Sequence, residues 1–444
     1  MADYKKSEYI VSQKIDEGAY LCSNFFSGKH IVLSEELFDI FNDPQCQIDS
    51  LACSYPKVYS RLKEGGFIVE SSLDEFLKIQ TNMITDIKDK SLYHIIINPT
   101  LDCNLSCWYC YENKVPHSRM SKEVMDGICK HIEEYYITNP FKVLKLSFFG
   151  GEPLLYPNII IRIVSFVKEF CKNNSVGLIF DFTTNGTLLT KNVLNAIKDY
   201  PCLFQITLDG NKAKHNKIKF SKDISDTFST TIRNISLIQK IIPKSLTSVR
   251  INFDFSTLQY FDEIISELDN LDRLRTKIIL KKVWQITPNT IQKEKIMEII
   301  DFTLDKNFYL DYYSQGGICF ADRENQITFN YDGGIYKCTT ITHFDMENSL
   351  GSFETETGIV SWNKEKISFM NNFEIPKDCR LCKLLPLCGG PCRKKNTSWS
   401  RDDCFLNEIG MSVEEYALIQ LKIELTNKKI REKTHENIIV RSDE

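Results

Sequence analysis

Val143-Leu144-Lys145-Leu146-Ser147-Phe148 is a short, mostly apolar run that ends in Phe149-Gly150-Gly151-Glu152-Pro153. Apolar residues then recur at helical spacing from Ile159 to Phe170. A second strand-like run, Leu178–Phe182, follows and closes on Thr183-Thr184-Asn185-Gly186. Strand, turn, helix and strand in that order form the repeating unit of a parallel sheet wound by right-handed crossovers. Working outward, further strand-like runs occur at Leu92–Ile97, Phe204–Leu208, Val249–Phe253 and Ile278–Trp284. Helix-spaced segments alternate with them at Val124–Tyr135, Val193–Ile197, Thr230–Ile241, Phe261–Leu268 and Ile291–Leu304. This predicts an α/β fold, and about six such units suit an open barrel better than the closed form of about eight, a flat sheet being the alternative that periodicity leaves open. The unusual residues all follow strand ends: Cys103, Cys107 and Cys110, then Gly150 to Pro153, then Thr183 to Gly186, then Asp209-Gly210. In parallel α/β folds the carboxyl ends of the strands form the ligand face, so these loops predict a single site.

The rest of the chain is ordinary except for its thiols. Its 444 residues carry 59 acidic against 55 basic side chains, and 42% are apolar. No basic patch argues for nucleic acid as a partner. The polar start Met1-Ala2-Asp3-Tyr4-Lys5-Lys6 is unlike a signal peptide, and no apolar run predicts a membrane span, so a cytoplasmic globular protein is expected. Sixteen cysteines in such a chain are expected to stay reduced and, where clustered, to hold metal. Cys22, Cys46, Cys53, Cys129, Cys171 and Cys202 are scattered and read as small buried apolar side chains.

The loop Asp102-Cys103-Asn104-Leu105-Ser106-Cys107-Trp108-Tyr109-Cys110 can offer three thiolates to an iron–sulfur cube and leave one iron open. A zinc site is the other reading, with His94 or His117 as a fourth ligand, although neither has the usual finger spacing. The spacing Cys-x3-Cys-x2-Cys, with Tyr109 before the last cysteine, resembles the radical SAM superfamily. That resemblance implies a partial (β/α)6 TIM-barrel core holding a 4Fe–4S cluster and S-adenosyl-L-methionine. The open iron would chelate the cofactor, whose reductive cleavage yields a 5′-deoxyadenosyl radical that takes hydrogen from substrate. It also assigns Gly150, Gly151 and Glu152 to the cofactor's amino group. Tyr109, Asn185 and Thr207 are likewise implied as cofactor contacts. Lys219 stands where the sulfatase-maturing branch often has an arginine for the cofactor carboxylate; it keeps the charge but loses the two-pronged geometry.

A second array runs Cys319, Cys338, Cys379, Cys382, Cys388, Cys392 and Cys404. It resembles the seven-cysteine SPASM extension, with a zinc ribbon as the alternative. The resemblance implies two auxiliary clusters, making three 4Fe–4S clusters in all. Cys379, Cys382, Cys388 and Cys404 would hold one, and Cys319, Cys338 and Cys392 the other, which is left one thiolate short. An open iron or a non-Cys ligand would complete that cluster. In anaerobic sulfatase-maturing relatives an Asp follows the second array cysteine; Thr339 stands here, which disfavours that reaction. Asp209, Asp322, Asp332 and His343 are candidate acid–base groups, and spacing selects none of them.

Residues 1–85 resemble the small α+β, winged-helix-like domain with which RiPP maturases grip a leader peptide, a plain capping domain being the alternative. The expected organisation is therefore 1–85 peptide-binding, 86–308 radical SAM core, 309–420 SPASM, and 421–444 a polar tail. The function implied is a radical SAM oxidoreductase acting on a ribosomal precursor peptide with a leader, forming a thioether or C–C crosslink. A flavodoxin- or ferredoxin-type donor would supply electrons, with no role for nucleic acid or membrane. The alternatives are peptide oxidation or epimerisation, sulfatase-type maturation, or a non-catalytic Fe–S or zinc scaffold.

Overall fold

The structure is a computed structural model and describes residues 3–43, 48–283, 285, 293–314, 317–393 and 399–441. Two compact units are present. One comprises residues 88–313, 320–368 and 423–444; the other comprises residues 1–87, 314–319 and 369–422.

The first of these units is built on a nine-stranded sheet. Its strands are β1 (Leu92–Ile97), β2 (Val143–Phe148), β3 (Gly177–Thr184), β4 (Cys202–Leu208), β5 (Ser245–Phe253), β6 (Thr276–Lys282), β7 (Tyr309–Tyr312), β8 (Gln326–Phe329) and β9 (Ile335–Tyr336). Their order is β7-β6-β5-β4-β3-β2-β1-β8-β9. Every neighbouring pair from β7 to β8 is parallel, and β9 returns antiparallel on β8. All six expected strands are in this sheet, although Trp284 and the start of the expected helix at Ile291 lie outside the described residues. The strands β7 and β8 were not anticipated. Each is four residues long and pairs with a segment remote in sequence, so neither carries a long local pattern.

Alternation along each strand divides its two faces. Leu144, Leu146 and Phe148 of β2 are fully buried, as are Phe180 and Phe182 of β3 and Ile206 and Leu208 of β4. The crossover helices include Lys122–Thr138, Pro157–Asn173 and Thr227–Ile241, with buried stripes such as Ile159, Ile163 and Val167. Phe148, Phe182 and Phe204 stack in series, with ring centroids 5.1 and 5.2 Å apart.

The other unit opens with strand Tyr4–Lys6, paired antiparallel with the closing strand Ile68–Glu70. A three-stranded meander, Ile10–Asp16, Ala19–Asn24 and Lys29–Ser34, precedes helices Glu35–Asn42, Ile48–Ser54, Pro56–Glu64 and Glu75–Lys88. Cys22, Leu33, Phe41, Leu51, Leu62 and Phe67 form its core. Cys53 corrects an expectation, since it is exposed. Its short helix turns Ile48 and Leu51 inward, three residues apart, which leaves Cys53 on the outer side. Cys129 is half-buried, Cys22, Cys171 and Cys202 are buried, and Cys46 lies outside the described residues. Helix Val413–Arg441 ends the described chain. Among the described residues, no helix is long and apolar enough to cross a membrane.

Candidate active site

A cavity of about 730 Å³ opens within the sheet-bearing unit. Its wall is made of the strand faces turned away from the apolar layer: His94 and Ile96 of β1, Lys145 and Ser147 of β2, Asp181 and Thr183 of β3, Gln205 and Thr207 of β4, and Arg250 and Asn252 of β5. Its rim is made of loops that follow the strands. Cys103, Cys107, Tyr109, Cys110, Gly150, Gly151, Asn185 and Lys219 all border it.

The cysteine loop is fixed by its neighbours. The Asp102 carboxylate accepts from the backbone N–H groups of Cys103 and His117, both at 2.8 Å. Cys103 is half-buried, and its partial desolvation, with Glu152 nearby, pushes its thiol up to about 12; Cys107 adds to the effect. Burial also raises the Cys110 thiol, and Cys107 again contributes. Cys107 therefore stands close enough to both Cys103 and Cys110 for its charge to act on each. Among the described residues no three His, Cys, Asp or Glu side chains converge tightly on one metal ion; cysteines bound to a multi-iron cluster need not share one iron. His94 and His117 are placed otherwise, with His94 Nε2 2.8 Å from Ser147 Oγ and His117 exposed.

The Gly-Gly-Glu turn packs backbone against backbone on this loop. Glu152 N–H donates to Asp102 O at 2.8 Å, and Gly151 N–H to Thr100 O at 3.2 Å. A Cβ on Gly150 would lie 2.3 Å from Thr100 O, and Gly150 has φ +106°, so both space and conformation demand glycine. Glu152 is wholly buried. Its carboxylate accepts from Leu154 N–H at 3.1 Å, Thr184 Oγ at 2.7 Å and Asn185 N–H at 2.8 Å. Burial raises its pKa against the opposing pull of those bonds. The side chain thus ties two loops together, while the backbone of Gly150 and Gly151 borders the cavity. Asn185 Nδ2 reaches Asn104 Oδ1 at 2.9 Å and Cys103 Sγ at 3.9 Å.

Behind the rim runs a buried polar chain. Tyr109 donates its hydroxyl to Asp209 at 2.7 Å and accepts from Asn252 Nδ2 at 3.0 Å. Lys219 Nζ lies 3.4 Å from the same Asp209 oxygen, and the two side chains are only 5% and 1% exposed. Burial pulls the Lys219 pKa down, but Asp209 outweighs it and the net direction is up. Of the four candidate acid–base groups, none lines the cavity. Asp209 is committed to Tyr109 and Lys219. Asp322 is half-buried in the turn Phe320–Asp322. Asp332 is exposed and accepts from Asn330 Nδ2 and Gly334 N–H in a turn, and His343 is exposed at 3.3 Å from Asn113 Nδ2.

Sequence reasoning missed the polar wall itself. Lys145 and Asp181 form an ion pair at 2.7 Å, Ser147 donates to Asp181 at 3.1 Å, and His94 joins through Ser147. The signal was present as polar residues at every second position of otherwise apolar strands.

In the other unit, burial pushes the Cys379 thiol up to about 12, with further contributions from Cys388, Cys382 and Cys404. These four cysteines therefore lie within electrostatic reach of one another. Cys319 and Cys392 belong to the same unit and are exposed, whereas Cys338 belongs to the sheet-bearing unit.

Comparison with known proteins agrees with this geometry. The family model described as Radical SAM superfamily matches residues 97–268. The Radical SAM cyclopropyl synthase TigE of Paramaledivibacter caminithermalis is 20% identical over 85% of this chain and 83% of its own. A cysteine-type anaerobic sulfatase-maturating enzyme of Clostridium novyi is 24% identical over 69% of this chain and 88% of its own. A solved structure of anSMEcpe with bound AdoMet and the Cp18Cys peptide shares the fold, with a TM-score of 0.54 at 19% identity over 78% of this chain and 99% of that one. The parallel sheet, the cysteine loop on its rim and the family match over residues 97–268 identify a radical SAM domain in this chain, with relatives named anaerobic sulfatase-maturating enzymes.

Proposed function

We propose that the protein is a SPASM-type maturase that crosslinks a ribosomal precursor peptide through a thioether or C–C bond. The observation that carries this reading is the shared cavity: three thiols, a glycine turn without room for side chains and a polar wall border one space of about 730 Å³. That volume suits a nucleoside cofactor together with a substrate side chain. The three-thiol donor set fits a cluster with an open iron. When bound, the cluster and S-adenosylmethionine supply reductive cleavage and hydrogen abstraction.

The chain's own residues bind, orient and shield. Cys103, Cys107 and Cys110 would ligate the cluster, and the backbone of Gly150 and Gly151, with Asn185 and Thr207, would cradle the cofactor. Glu152 holds the glycine turn and the Asn185 loop in register, and Tyr109 is clamped by Asp209 and Asn252 so that the loop keeps one geometry. The grouped cysteines Cys379, Cys382, Cys388 and Cys404 support a complete auxiliary cluster; a second one on Cys319, Cys338 and Cys392 rests on their pattern in sequence alone. A leader peptide would add as a strand to the N-terminal unit, where Ile10–Asp16 and Lys29–Ser34 are the outer strands of the meander. Similarity to a cyclopropyl synthase and to sulfatase-maturating enzymes is consistent with radical modification of a peptide or protein.

The test is anaerobic incubation of the reconstituted chain with S-adenosylmethionine, a strong reductant and candidate precursor peptides taken from short open reading frames beside its gene. The expected product has lost two hydrogens per crosslink and forms together with 5′-deoxyadenosine. Steady cofactor cleavage with every candidate peptide left unaltered would refute the maturase reading.

A further inference from the structure

Arg250 is a cavity cation with no ion-pair partner among the described residues. It lies on β5, half-buried, in register with Thr207 on β4 and bordering the cavity. Its Nε donates to Asn252 Oδ1 at 2.9 Å. Asn252 is fixed in turn by its bond to Tyr109, so one edge of the guanidinium is held in place. The two Nη atoms donate to no described residue, and no described carboxylate forms an ion pair with them.

The other cations on the wall are engaged. Lys145 is paired with Asp181 at 2.7 Å and Lys219 with Asp209 at 3.4 Å. Lys114 donates to the Leu105 carbonyl, and Lys282 and Arg323 have partners of their own. Lys219, the position aligned with a cofactor carboxylate, is also nearly inaccessible at 5% exposure. A partly desolvated guanidinium held by one edge, with its fork unfilled, suits a planar bidentate anion.

We propose that Arg250 is the carboxylate-binding residue of the cavity. The proposal rests on the radical SAM peptide-maturase reading, which offers two sources of that group: the methionine carboxylate of the cofactor and an acidic side chain of the peptide.

The test is anaerobic calorimetry on the full reconstituted chain, comparing wild type, Arg250→Gln and Arg250→Lys. The probes are two pairs that differ only in the carboxylate: S-adenosylmethionine against its decarboxylated form, and N-acetyl-Gly-Glu-Gly amide against its Gln counterpart. Wild type is expected to prefer the carboxylate member of one pair by roughly ten- to hundredfold. Arg250→Gln lowers that preference by about tenfold or more, and Arg250→Lys, which keeps charge without the fork, retains part of it and serves if the Gln variant fails to fold. Preference lost within the adenosyl pair assigns the site to the cofactor; preference lost within the peptide pair assigns it to substrate. An equal preference in wild type and Arg250→Gln overturns the proposal, as does a wild type with no preference in either pair. A wild type that binds neither adenosyl probe yet discriminates the peptides through Arg250 sinks the parent reading and leaves the carboxylate site standing.

Discussion

At Gly151 a methyl group would sit 2.2 Å from the Asp102 carbonyl oxygen, and neither backbone can yield without moving the cysteine loop. Gly151→Ala should therefore lower stability by about 2 kcal/mol or more and impair the iron-dependent visible absorption after reconstitution. Gly177→Ala, whose methyl meets the flexible Val143 side chain at 3.3 Å, should cost under about 1 kcal/mol. Urea unfolding of the two variants gives the comparison. His94 offers a pH test. Burial first, and then Lys145 and Arg323, hold its pKa down at about 3 against an ordinary 6.5. Below pH 6.5 the unfolded chain takes up a proton that the folded one refuses, so stability falls as pH falls. Between pH 7 and 5 this histidine should remove about 2 kcal/mol, and His94→Asn should flatten that part of the urea-midpoint profile. Residue identity made the cysteines and glycines legible, because their chemistry or their lack of a side chain is the signal. Asp209, Asp332 and His343 were not legible, because what an acid or base does is set by tertiary neighbours that local spacing does not encode.

Among the elements, the helix Thr227–Ile241 shows how a cap also organises the site. Asp226 accepts from Ser229 N–H at 3.0 Å, from Asn216 Nδ2 at 3.1 Å, and pairs with Lys212 at 2.6 Å. Asn216 in turn accepts from Phe228 N–H at 2.8 Å, which anchors the segment leading to Lys219. Asp226→Ala should cost about 1 to 2 kcal/mol, measured by thermal unfolding, whereas Asp226→Asn should recover most of it. Strand and helix positions were readable because apolar periodicity is local. The polar wall was harder: Lys145, Asp181, Gln205 and Arg250 each look like interruptions of an apolar strand. They become a surface only once β2 to β5 are laid side by side.

Over the whole molecule, the array of seven cysteines divides six to one between the compact units, with Cys338 in the sheet-bearing unit. Cys379, Cys382, Cys388 and Cys404 share one neighbourhood, so under the three-cluster proposal Cys404→Ala should reduce bound iron by about four atoms from a total of about twelve. Iron and sulfide assay of the reconstituted protein checks this, and retention of the full iron content would remove that cluster from the account. Grouping across such distances in sequence could be inferred from cysteine spacing only through resemblance to a known pattern. The central claim is more direct: Cys103, Cys107 and Cys110 hold a cluster that cleaves S-adenosylmethionine. Its measurement is 5′-deoxyadenosine released by the anaerobic, reconstituted chain under a strong reductant. The account predicts release by wild type and none by the triple variant Cys103→Ala/Cys107→Ala/Cys110→Ala; equal yields from the two, or none from wild type, would contradict it.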